Sequence, residues 1–147
     1  NITYRGIQVY DKVANNRCAA DYPFLSIERI NTKSVNTGGR LKRMIRFLKN
    51  IKADSKQKID LSSFDINAIC YNIDIDAYKD LHYLYLVTIV FLQLHKIAYD
   101  ESYANSITSV DGKEYIFRGN NKRREVATML QNVSTIYSIL KEQHLII

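Results

Sequence analysis

Between Arg40 and Lys52 the apolar residues Leu41, Met44, Ile45, Leu48 and Ile51 recur at steps of three and four. That spacing places them on one stripe of an α-helix, because a strand would scatter them over both of its faces. Thr37 reads as the N-cap, and Gly38-Gly39 as the turn into a helix expected from about Gly39 to Ala53. At about 100° per residue, Lys42, Arg46 and Lys49 then form a second row beside the buried stripe. The helix is pinned to a core by one side while the other holds cations in line. Such a row can meet phosphate. It is equally the pattern of an ordinary solvated face, and spacing alone does not separate the two readings.

A chain of 147 residues, 46% hydrophobic and 24% charged, suits one globular domain with a sizeable core. Its net charge of +6 favours an anionic partner, whether nucleotide, nucleic acid or membrane surface. Cys18 and Cys70 are far apart and lack a metal-type spacing, which points to reduced thiols and an intracellular, cytoplasmic chain. No signal peptide is visible. The first residue is Asn1 and the chain opens directly into strand-like sequence, so a fragment or processed product of a longer protein is expected.

Residues 2–10 carry β-branched and aromatic residues in partial alternation, the pattern of a strand, and the polar run Asp11 to Arg17 reads as a turn. Tyr22-Pro23-Phe24 ends the extended run, and Phe24, Ile27 and Ile30 lead through a short helical or irregular segment to the cationic helix. Beyond a polar loop at residues 54–58, Ser62 or Ser63 offers a cap for a short, mostly buried helix. The stretch from Ala77 to Ala98 is the most apolar of the sequence. Its core from Tyr83 to Leu94 is well below the roughly 18 apolar residues that span a bilayer, so a central packed helix is expected on length, with a buried strand as the rival and no membrane partner. Ser106–Val110 and Lys113–Phe117 flank Asp111-Gly112, the two-residue signal of a tight β-hairpin. Val126, Met129, Leu130, Val133, Ile136, Tyr137 and Leu140 then give a long amphipathic helix. The fold class is therefore mainly α: a helical bundle with a short N-terminal β segment and a small hairpin before the last helix.

Chemistry is sparse. His82, His95 and His144 are scattered, and the sequence has no nucleophile elbow, P-loop or dinucleotide fingerprint, so no catalytic or metal-ligating residue is assigned. Asp74 and Asp76 sit at a helix boundary, where capping explains them better than a divalent metal does. Lys122, Arg123 and Arg124 occupy the first turn of the last helix, where the macrodipole disfavours cations; a bound anion would relieve that conflict.

Ile45-Arg46-Phe47-Leu48-Lys49, preceded by Asn31 and a Gly-containing approach and followed by Leu61 to Ile69, resembles the C-terminal helical region of the nucleotidyltransferase superfamily. Its nearest members are the oligoadenylate synthetase and cyclic GMP-AMP synthase type enzymes and their bacterial relatives. The resemblance implies that Arg46 and Lys49 contact a nucleotide's triphosphate, with Lys42 beside them, and that Phe64 helps to hold the base. It implies that residues 1–30 are the end of a catalytic-domain sheet and its crossover, and that residues 31–147 are the helical, nucleotide-facing domain. The family's Gly-Ser motif and metal-binding carboxylates belong upstream and have no counterpart here. The aromatic often found after the Arg-x-x-Lys pair is Ile51 in this chain.

The resulting expectation is a nucleotide-binding part of a nucleotidyltransferase that acts on nucleoside triphosphates and releases pyrophosphate. Magnesium would serve the parent enzyme, held by its N-terminal catalytic domain and not by this chain. The alternative is a basic helical module that binds RNA or DNA without catalysis, through Arg40, Lys42, Arg43, Arg46 and the Lys122, Arg123, Arg124 cluster.

Overall fold

Pro23 opens the first helix, α1 (Pro23–Asn36). There its missing N–H leaves no bond unmade and its fixed φ is already helical. The computed structural model describes residues 23–78 and 82–146. The strand expected at residues 2–10, the crossover up to Tyr22 and Cys18 lie outside that range. Where an irregular segment was one of the expected alternatives, α1 is a continuous 14-residue helix.

Gly38 and Gly39 follow with φ of 65° and 82°, in the left-handed region that side chains avoid. They turn the chain into α2 (Arg40–Asp54), within a residue of the expected bounds at both ends. The cap position is Gly39, so Thr37 is not the N-cap itself. Its hydroxyl nevertheless accepts the Leu41 N–H at 3.1 Å and donates to the Ser34 carbonyl at 3.0 Å. Ser34 Oγ accepts the Lys42 N–H at 3.3 Å. Two buried hydroxyls from the end of α1 thus take N–H groups that the first turn of α2 would leave unbonded.

Leu41, Met44, Ile45 and Leu48 are buried, as the stripe demanded. The following loop sends Ile59 and Leu61 into the same core, and Lys52 Nζ donates to the Leu61 carbonyl at 2.6 Å. Next comes α3 (Ser63–Tyr71), with a reciprocal cap. Ser62 Oγ accepts the Asp65 N–H at 3.2 Å while Asp65 Oδ2 accepts the Ser62 N–H at 2.9 Å. Asp74 Oδ1 accepts the Asp76 N–H at 2.9 Å, so this carboxylate caps the short α4 (Ile75–Tyr78).

The central helix starts later than the apolar run does: α5 covers Tyr85–Tyr99. Its most extensive partner is α7 (Lys122–Glu142), on which Phe91 stacks against Tyr137 with ring centroids 4.5 Å apart. Gln93, polar within this apolar helix, is buried and bonded at both ends of its carboxamide. Its Nε2 donates to the Ile69 carbonyl at 3.0 Å and its Oε1 accepts the Tyr103 hydroxyl at 2.8 Å. Tyr103 belongs to α6 (Glu101–Ser106), which Asp100 caps.

The segment expected as a β-hairpin is a packed loop, and no strand occurs among the described residues. The Asp111-Gly112 turn does form, with Gly112 at φ 76° and its N–H on the Ser109 carbonyl at 2.8 Å. The arms then meet only in one isolated antiparallel bridge, Thr108 with Tyr115. Ser109 Oγ accepts the N–H groups of Lys113 and Glu114 at 3.2 and 3.1 Å, diverting donors from a ladder. Consecutive Ile116 and Phe117 are both buried, which a surface hairpin with one face to solvent would not do.

Candidate functional site

Because Leu41, Met44, Ile45 and Leu48 face inward, helical geometry sends Lys42, Arg46 and Lys49 to the outer face of α2, where all three are exposed. They do not project into open solvent alone. With Ile30 of α1, Ile45 beneath them and Asn67 of α3, they line an open groove of about 310 Å³. Three cations and no carboxylate line it, so its field attracts anions. A guanidinium offers a planar fork to two phosphate oxygens, and an ammonium adds a mobile point charge.

The α3 wall comes with its own chemistry. The Asn67 side-chain oxygen is enclosed and has no hydrogen-bond partner. Nothing in the local sequence marked this residue; its only signal is a position one helical turn after Phe64, on the same face. Phe64 is 41% exposed in the first turn of α3 but does not itself line the groove. Lys33, also missed from sequence, braces this helix. Its ammonium donates to the Tyr71 and Ile73 carbonyls at the end of α3 and lies 4.8 Å from the Tyr71 ring centre. Burial lowers its pKa, against the opposing pull of Asp74.

The other basic candidates lie elsewhere. Arg40 Nη1 donates to the Thr37 carbonyl at 3.1 Å, and the Arg40 and Arg43 guanidiniums sit 5.1 and 3.9 Å from the Tyr83 ring centre. Lys122 Nζ pairs with the buried Asp65 carboxylate at 2.9 Å. Arg123 donates to the Ile97 and Ala98 carbonyls at 3.0 and 2.9 Å, at the negative end of α5. Protein groups thus relieve the charge conflict in the first turn of α7 at two of its cations, and Arg124 is exposed. These partners are 57, 26 and 25 residues away in sequence, which is why the pattern alone suggested an anion.

Among the described residues no group of three or more His, Cys, Asp or Glu could hold a metal ion. No helix among them is long and apolar enough to cross a membrane. His82 Nδ1 accepts the Leu84 N–H, and His95 packs between Phe91 and Tyr99.

Comparison with known proteins bears on what such a groove serves. The model of the cGAS/DncV-like nucleotidyltransferase C-terminal helical domain matches residues 28–138. A c-di-GMP synthase of a Flavobacteriaceae species is 47% identical over 148 residues, covering 97% of this chain and 40% of that protein. A c-di-GMP synthase of Capnocytophaga granulosa is 54% identical over 142 residues, covering 95% of this chain and 40% of its own length. The chain therefore spans about 40% of the length of these relatives. The solved structure of the STING-associated CdnE c-di-GMP synthase from Capnocytophaga granulosa superposes with a TM-score of 0.81 at 53% identity. That match covers 84% of this chain and 41% of the solved one. With the family model matched across all of α2, α3 and α5, the chain belongs to the family of cGAS/DncV-like nucleotidyltransferase C-terminal helical domains.

Proposed function

We propose that this chain is the nucleotide-facing helical part of a nucleotidyltransferase whose parent protein joins two guanosine nucleotides into a cyclic dinucleotide. The choice of guanosine rests on relatives that are c-di-GMP synthases, 47% and 54% identical to this chain. The observation that carries the site is the groove in which Lys42, Arg46 and Lys49 stand together without a carboxylate. In each transfer a nucleotide hydroxyl releases its proton to solvent and bonds to the α-phosphorus of a triphosphate, the bond to the bridging oxygen breaks, and pyrophosphate leaves with the negative charge. A second, intramolecular transfer closes the ring and releases a second pyrophosphate. Arg46 grips two phosphate oxygens, and Lys49 and Lys42 balance the charge that grows on the departing group. Phe64, beside the groove on α3, offers a stacking face to the base.

The described residues hold no donor set for the magnesium ion that this reading gives the parent enzyme. Such an ion supplies charge neutralisation at the reacting phosphate, and it would rest on the catalytic domain to which residues 1–30 lead. In the full-length parent, Arg46→Ala with Lys49→Ala should lower kcat/KM for GTP about 100- to 1,000-fold, the loss of two charge-assisted contacts, with thermal stability unchanged. Unchanged turnover and unchanged GTP affinity would remove this pair from the site.

The Arg40, Arg43 and Tyr83 cluster favours a second reading, in which the basic face of α2 binds nucleic acid. Its signature is affinity for oligonucleotides that falls steeply with salt and grows with length. Retention only at very low salt, independent of length, would count against it.

A further inference from the structure

We infer that Asn67 is the nucleoside-contacting residue of the groove, accepting a hydrogen bond from the sugar or base while the cations of α2 take the phosphates. This rests on the nucleotide reading of the groove and adds the orientation of the ligand. The Asn67 carboxamide oxygen is enclosed with no donor, although three side chains rich in N–H groups line the same groove. The other such orphan among the described residues, Thr88 Oγ1, does not line the groove. Buried acceptors in folded chains are almost always paired, so this one needs a partner from outside the described residues.

A triphosphate cannot supply it. At neutral pH its oxygens are acceptors, and an acceptor facing a carboxamide oxygen satisfies neither. On the nucleotide reading the donor comes from the other half of the nucleotide, a ribose O–H or a base N–H, met once the Asn67 side chain turns its enclosed oxygen into the groove it lines. That fixes the direction of binding, with the phosphate tail along α2 and the nucleoside against α3. Phe64, one turn before Asn67 on the same face of α3 and 41% exposed, is the apolar surface such a nucleoside would meet next.

The test uses the full-length parent and three probes: GTP, 2′,3′-dideoxyguanosine triphosphate and inorganic tripolyphosphate. Asn67→Leu keeps the branching and the number of heavy atoms and removes the acceptor. It should weaken GTP binding about tenfold, leave tripolyphosphate binding within twofold, and not lower the melting temperature. Asn67→Ala, which only trims the side chain, should give the same split and serves if the leucine variant does not fold. With the dideoxy probe the tenfold effect disappears if a sugar hydroxyl is the donor and persists if the base is. Equal losses for GTP and tripolyphosphate would place the amide on the phosphates and overturn the inference, as would GTP binding within twofold of wild type. The double variant Arg46→Ala, Lys49→Ala separates the two levels. If it weakens both probes while Asn67→Leu spares GTP, only the inference falls; if it weakens neither, the nucleotide reading itself falls.

Discussion

Lys122 decides whether the start of α7 is a structural latch or an anion site. Its ammonium lies 2.9 Å from Asp65 Oδ1, with the lysine side chain 37% exposed and the aspartate 3%. Asp65 is also the reciprocal cap of α3, so the pair ties the helix carrying Asn67 to the longest helix of the fold. At an effective dielectric constant of about 20, opposite charges at this range attract by about 6 kcal/mol before desolvation. Burial of the carboxylate and solvent around the half-open lysine remove most of that, leaving a coupling of about 1–2 kcal/mol. Lys122→Ala strands the Asp65 charge with only the Ser62 N–H and should destabilise the chain by about 2 kcal/mol, a fall in Tm of about 4–8 °C. Asp65→Ala loses the cap as well and should cost about 3 kcal/mol. The double variant should fall short of the sum by the coupling energy. Thermal unfolding followed by circular dichroism reads all four chains. Additive costs, or an unchanged Tm for Lys122→Ala accompanied by weaker GTP binding in the parent, would refute the latch.

Two further perturbations follow from backbone and burial. Burial pushes the pKa of the Cys70 thiol up, against the charges of Lys49 and Lys33, and pushes Tyr78 up as well. The native chain therefore keeps protons that the unfolded chain releases, and stability should fall as pH rises above about 8.5. The slope should be about 1.4 kcal/mol per unit until tyrosine titration steepens it near pH 10; Lys33, shifted the other way, blunts the fall there. Urea melts of wild type and Cys70→Ala between pH 7.5 and 9.5 check this, since the variant should be flat. At the α1–α2 turn, Gly39→Ala meets open space and should cost only the backbone strain of its φ of 82°, about 1 kcal/mol. Gly38→Ala adds a Cβ 2.6 Å from Arg40 Nη1 and should cost more, about 2 kcal/mol, because Arg40 must leave the Thr37 carbonyl. Equal Tm values for wild type and Gly39→Ala would show that the turn is not held in this conformation.

What the sequence made legible was periodic. The stripe from Leu41 to Leu48 and the face from Val126 to Val133 each announce a helix through local spacing, the serine cap at residue 62 announces a third, and all three helices are present with both stripes buried. The row of Lys42, Arg46 and Lys49 was legible for the same reason. What spacing could not supply was the opposite wall of the groove, because Ile30 and Asn67 reach it from other helices. The hairpin failed on a related point. Asp111-Gly112 specifies the turn, but whether its arms form a ladder depends on Ser109 and Asp111, whose side chains bond the backbone that a ladder needs. Lys122 and Arg123 looked unpaired because their partners lie on α3 and at the end of α5. A charge is easy to count in a sequence. Its partner is a tertiary fact.

The most direct measurement is a crystal structure of the full-length parent with a non-hydrolysable GTP analogue. The account predicts triphosphate oxygens within about 3 Å of the Arg46 guanidinium and the Lys49 ammonium, with the guanosine turned toward Asn67. A triphosphate bound elsewhere, with that pair in contact only with water, would contradict it.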